Sequence, residues 1–156
     1  MCMCVYDKLN ELGVELPKMP PKAGVFVFVK EFGHKLAYVS GCGPDINGEL
    51  FKKGKLGQEI TLEEGQEAAR NCAVNMLTLI HNHVGDLNKV KNIVKVLGFV
   101  ASSDTFFEQP KVINGCSEFL ENLFGSEIGL GARSAIGTNV LPGNIPVEIE
   151  LLFELK

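Results

Sequence analysis

At 156 residues, with 46% hydrophobic positions, the chain has the size of one domain and enough apolar surface for one core. A formal net charge of −4, no Trp, two Tyr and only two Arg give neither a basic stripe nor a stacking platform, which argues against nucleic acid as a partner. No apolar run approaches the ~18 residues of a membrane span and no charged leader precedes an apolar stretch, so a soluble, cytoplasmic protein with no membrane partner is expected.

The five cysteines, Cys2, Cys4, Cys42, Cys72 and Cys116, are odd in number and match no zinc spacing. Free thiols in a reducing compartment and no metal site are the expectation.

Taken in order, residues 1–24 form an accessory segment. Val5, Leu9 and Leu12 recur at helical spacing within Met1 to Leu16, ended by Gly13, and Pro17, Pro20 and Pro21 make an extended linker. Val25 to Phe32 is β-branched and aromatic, which predicts a strand buried on both faces. Gly33-His34 turns it into Leu36 to Ser40. Ser40-Gly41-Cys42-Gly43-Pro44-Asp45 then reads as a tight exit turn, or as a loop whose glycines let backbone N–H groups approach a ligand; it has no nucleotide-cradle pattern.

Thr61 with Glu64 is a capping box, opening a helix to about His83 with Gly85 just beyond its end; Ala69, Cys72, Ala73, Met76 and Ile80 form its apolar face. Val90 to Ala101 predicts a long strand. A second helix starts near Gln109 with Pro110 in its first turn, carries the stripe Val112, Ile113, Cys116, Phe119, Leu120, Leu123 and Phe124, and stops at Gly125. His81 and His83, two apart on a helix, point to different sides and read as surface groups, as does His34 in its turn.

At the C-terminal end, Val147, Ile149, Leu151, Phe153 and Leu155 alternate with Glu148, Glu150, Leu152 and Glu154, the period of a half-buried strand. Arg133 to Val140 is a second extended segment, and Leu141-Pro142-Gly143-Asn144 supplies a turn. Folded as a hairpin, the pair brings Arg133 and Glu148 into one neighbourhood, where they either pair with each other or face a shared cleft. The order of elements predicts an α+β domain with two helices on one face of a mixed sheet.

The arginine, the Leu-Pro nine residues on and the V-E-I-E that follows resemble the C-terminal signature of the Rid family (YjgF-like, endoribonuclease L-PSP), closest to its chorismate-mutase-like branch. The resemblance implies a chorismate-mutase-like fold, a single domain over 1–156, a homotrimer whose sheets form a barrel, and clefts between subunits. It also implies deamination of small 2-imino or enamine acids to 2-keto acids and ammonia without metal or organic cofactor. Carried over by position, the carboxylate-binding arginine falls on Arg133, the water-handling glutamate on Glu148, and further substrate contacts on Ser40, Gly41 and Asn114. The residue two after the arginine, often cysteine in the family, is Ala135, which leaves only its backbone to contribute. The family's first-strand tyrosine has no counterpart among Val25 to Val29, although Phe26 or Phe28 can wall the pocket. Other classes considered are a non-catalytic small-carboxylate-binding trimer, a chorismate mutase, strained by the scarcity of arginine, and an endoribonuclease, which the acidic charge disfavours.

Overall fold

The computed structural model describes residues 4–22 and 24–156, so Cys2 lies outside the described residues. The capping box sets the first long helix: the Glu64 N–H donates to Thr61 Oγ1 at 3.2 Å and the Thr61 N–H to Glu64 Oε2 at 2.8 Å. Helix α2 (Leu62–Val84) runs from there to Gly85 in the left-handed region, φ 79°. It follows a short α1 (Val5–Glu11), shorter than the span expected because Leu12 closes it, and precedes α3 (Gln109–Phe124).

Five strands, β1 (Val29–Phe32), β2 (Leu36–Cys42), β3 (Val90–Ala101), β4 (Ala132–Thr138) and β5 (Val147–Leu155), form one sheet in the order β1-β2-β5-β3-β4. All neighbours are antiparallel except β3 and β4. That parallel pair follows from α3, since a helical crossover returns the chain to the end at which β3 began. A one-turn helix, Ser126–Gly129, absent from the sequence reading, links α3 to β4.

The core lies between the sheet and α2 with α3. Val147, Ile149, Leu151 and Phe153 of β5 are at most 1% exposed, as the alternation predicts, and meet Ile93, Val96 and Val100 of β3 beneath the apolar faces of the helices. Two glycines set how closely α3 is seated. A Cβ on Gly98 of β3 would lie 2.4 Å from Ile113 Cδ1, and one on Gly115 would lie 2.0 Å from the Gln66 carbonyl oxygen of α2.

Two expectations are corrected. The first strand begins at Val29, and Val25, Phe26 and Val27 are exposed, Val25 fully so. The ladder with β2 stops at Val29↔Val39; beyond it Ser40 holds the segment, its N–H donating to Phe28 O and its hydroxyl to Val27 O. The C-terminal pair is not a hairpin either: β3 lies between β4 and β5, and the turn at Pro142–Asn144 carries the chain across the end of β3, where the Ala101 N–H donates to Pro146 O and the Ser102 N–H to Thr138 O.

The Gly115 contact is backbone against side-chain position, which rotamer changes cannot relieve. Gly115→Ala is expected to lower unfolding stability by ~1–3 kcal/mol in denaturant titration, whereas Gly33→Ala, in an exposed turn with open space around it, tests only the smaller cost of a positive φ.

Candidate functional site

Arg133 sits on the edge strand β4, opposite Val96 in register and therefore on the helix-covered face. Its Nη1 donates to Asn114 Oδ1 at 2.8 Å and to Ser117 Oγ at 3.1 Å, both on α3. Positions 114 and 117 are three apart, so they share one side of the helix. Among the described residues no carboxylate pairs with Arg133. The guanidinium is thus half-buried, oriented by two neutral acceptors and not cancelled by an opposite charge. Burial pushes the nearby Cys116 thiol up to about 12, with the Arg133 charge acting the other way. Ala135 lies two residues along the same face, opposite Gly98.

Glu148 sits on β5 opposite Phe99, on the face of the sheet that the helices leave open. Its carboxylate lies against the Gly41 backbone: a Cβ on Gly41 would meet Oε1 at 2.1 Å, so glycine at this position makes the room. Burial, and after it the charge of Glu150, raises the Glu148 pKa. Glu150 in turn accepts from the Tyr38 hydroxyl at 2.9 Å. Ser40 donates its hydroxyl to Val27 O at 2.7 Å, and its N–H bonds Phe28 O. Phe28 packs edge-on to Phe26 at 5.4 Å between ring centres and lines a concavity of about 430 Å³ with Leu79 and His83.

The expected site residues therefore fall into two groups. Arg133, Asn114 and Ala135 share the helix side of the β4 edge, while Glu148 and Gly41 meet on the open face, with Ser40 and Phe28 joined to the same end of β2. One chain does not bring Arg133 and Glu148 into one cleft, because β3 separates their strands and the side chains point to opposite faces. Ser117 and Tyr38 were missed. Their signals were spacing: Ser117 stands one turn after Asn114, and Tyr38 stands two before Ser40 on a strand. His81, read as a surface group, instead bonds the Tyr6 hydroxyl through Nδ1 at 2.9 Å and fastens α1. His83 pairs with Glu31. Cys4, Cys42, Cys72 and Cys116 are free thiols. Among the described residues, no group of three or more His, Cys, Asp or Glu is placed to hold a metal, and no helix is long and apolar enough to cross a membrane.

A five-stranded mixed sheet with a β-helix-β crossover, a cation on its edge strand and a half-buried acid on its open face defines the class: α+β proteins whose polar sites lie on the sheet rather than in its core. The chain belongs to the YjgF family, matching over residues 7–155 the model described as "YjgF/chorismate_mutase-like, putative endoribonuclease". Protein TCP17 of Trypanosoma cruzi is 40% identical over 154 residues, covering 97% of this chain and 94% of that one. The crystal structure of Atu1372 from Agrobacterium tumefaciens, a protein of unknown function, superposes with a TM-score of 0.89 at 37% identity, over 97% of this chain and 92% of that one. A Shewanella oneidensis "putative endoribonuclease" gives 0.93 at 27% identity, over 98% and 100%.

The raised Glu148 pKa has a signed consequence. The folded state holds this proton more tightly than the unfolded chain does, so the contribution is favourable in acid and is lost as pH rises from the ordinary glutamate range through the raised value. Glu148→Gln is expected to match the wild type in thermal midpoint in acid and to exceed it at neutral pH; a gap that opens in acid instead contradicts the assignment.

Proposed function

We propose that the protein deaminates small 2-imino acids to 2-keto acids and ammonia, in a cleft that two copies of the chain build together. The observation that carries this reading is Arg133: a half-buried guanidinium steered by Asn114 and Ser117 and left without a carboxylate partner is suited to a carboxylate from outside the chain. The membership in the YjgF family and the position of Arg133 within the signature support it.

The substrate, R–C(=NH2+)–COO−, offers an electrophilic carbon next to its carboxylate. Arg133 fixes the carboxylate and so sets the direction from which water reaches that carbon, removing orientational freedom before the reaction. Glu148 accepts a proton from the attacking water and passes it to the nitrogen of the tetrahedral adduct. The C–N bond then breaks as the hydroxyl becomes the carbonyl and gives its proton to Glu148, which hands it to the departing ammonia, so that the 2-keto acid and ammonium remain. Its raised pKa brings both protonation states nearer to neutral pH. The Gly41 backbone and Ser40 complete the polar surround. No metal or organic cofactor is called on.

Because Arg133 and Glu148 face opposite ways in one chain, the reading requires a neighbouring copy to bring its Glu148 group to this Arg133. The open face of the sheet carries Leu97, Phe99 and Leu152, half-buried, and Ile136, 47% exposed, an apolar surface fit for such packing and in keeping with the homotrimer that the family resemblance implies. A cytoplasmic location goes with this reading. The same separation favours a second reading: a single chain has a carboxylate anchor without a base beside it, which describes a non-catalytic module for small carboxylates.

Ammonia release from freshly generated 2-iminopropanoate separates the two. Arg133→Ala and Glu148→Gln are each expected to lower turnover ~100-fold or more, and co-assembly of the two variants is expected to restore part of it. Equal turnover in Arg133→Ala removes that residue from the account, and wild-type binding of pyruvate without turnover selects the module.

A further inference from the structure

Arg133 has five N–H donors, and the structure specifies which of them are taken. Both hydrogens of Nη1 are used, one on Asn114 Oδ1 at 2.8 Å and one on Ser117 Oγ at 3.1 Å. No other hydrogen bond of the guanidinium occurs among the described residues, so Nε and Nη2 remain. These two nitrogens form one edge of the planar group, with two parallel N–H bonds at the spacing of carboxylate oxygens. Asn114 and Ser117 grip the opposite corner and so decide where this edge points.

We propose that Ser117 is a positioning residue for Arg133: with Asn114 it clamps Nη1 and so sets the direction of the Nε–Nη2 edge. The inference rests on the reading of Arg133 as the carboxylate anchor and adds the residue that aims it. Two features of α3 explain why Ser117 can reach. The helix is seated close to the sheet by Gly98 and to α2 by Gly115, and residues 114 and 117, one turn apart, reach Arg133 of β4 from the same side of it. A single-point cation lacks the Nε–Nη2 edge, so Arg133→Lys is expected to lose capture although it keeps the charge.

The chain has only two arginines, which makes the test direct. With isotope-labelled arginine, the side-chain Nε–H region of a nuclear magnetic resonance spectrum holds two signals, assigned by Arg70→Lys and Arg133→Lys. Arg70, whose guanidinium lies over the Phe119 ring at 5.1 Å, is the internal control. Pyruvate is expected to shift the Arg133 signal and leave that of Arg70 in place. Ser117→Ala is expected to move or broaden the Arg133 signal before any ligand is added, to weaken pyruvate binding and raise KM for 2-iminopropanoate ~5–20-fold, and to change kcat less than ~2-fold. Ser117→Thr, which keeps the hydroxyl, is expected to restore all of these. An Arg133 signal and a pyruvate affinity in Ser117→Ala equal to those of the wild type overturn the inference. A wild-type Arg133 signal that ignores pyruvate overturns the anchor reading and the docking edge with it, and in that case the ligand-free comparison still decides whether Ser117 holds the guanidinium.

Discussion

The seating of α3 is the constraint on which the rest depends. Its backbone reaches α2 where Gly115 meets the Gln66 carbonyl, and its Ile113 side chain fills the space over Gly98 of β3. Only at that depth do Asn114 and Ser117 come within hydrogen-bonding distance of a guanidinium rooted on β4. The crossover role of the same helix makes β3 and β4 parallel, and β4 forms the rim of the sheet, with Arg133 half-buried on it. Packing in the core and the chemistry at the rim are thus set by one helix.

The two charged groups of the site are treated in opposite ways. Arg133 meets the neutral dipoles of Asn114 and Ser117, which orient its positive charge without pairing it. Glu148 is eased toward its protonated form, since burial and Glu150 both disfavour a second negative charge there. A free cation and a proton-holding acid are the complementary pair that addition of water beside a carboxylate calls for, yet they occupy opposite faces. On the proposed reading, each chain carries two halves that belong to different clefts, and joining them is a matter of assembly rather than of folding.

Much of this was legible from residue spacing. The Thr61/Glu64 box, Gly85, Pro110 and Gly125 act through bonds within a few residues, so both long helices ended where such local chemistry puts them. The alternation from Val147 to Leu155 reports one buried face and was realised in full. Residues 25–28 misled, because apolar, β-branched composition records a preference for burial but not which strand will supply hydrogen bonds, and the ladder with β2 begins only at Val29. The apparent hairpin failed for a similar reason: a turn such as Leu141–Asn144 reverses the chain, and nothing local says that a strand forty residues earlier will fill the gap. The signature resemblance singled out Arg133 and Glu148, while the face each one takes depended on register along β3, a long-range property.

The placement of β4 at the end of the sheet reaches beyond catalysis. Along its outer side the backbone N–H and C=O groups have no ladder partner among the described residues, and Ile136 stands half-exposed beside them. Such a border is a template for any extended chain that approaches it. Left uncovered, this border would be adhesive, so whatever pairs with it also guards the chain against fibrous aggregation.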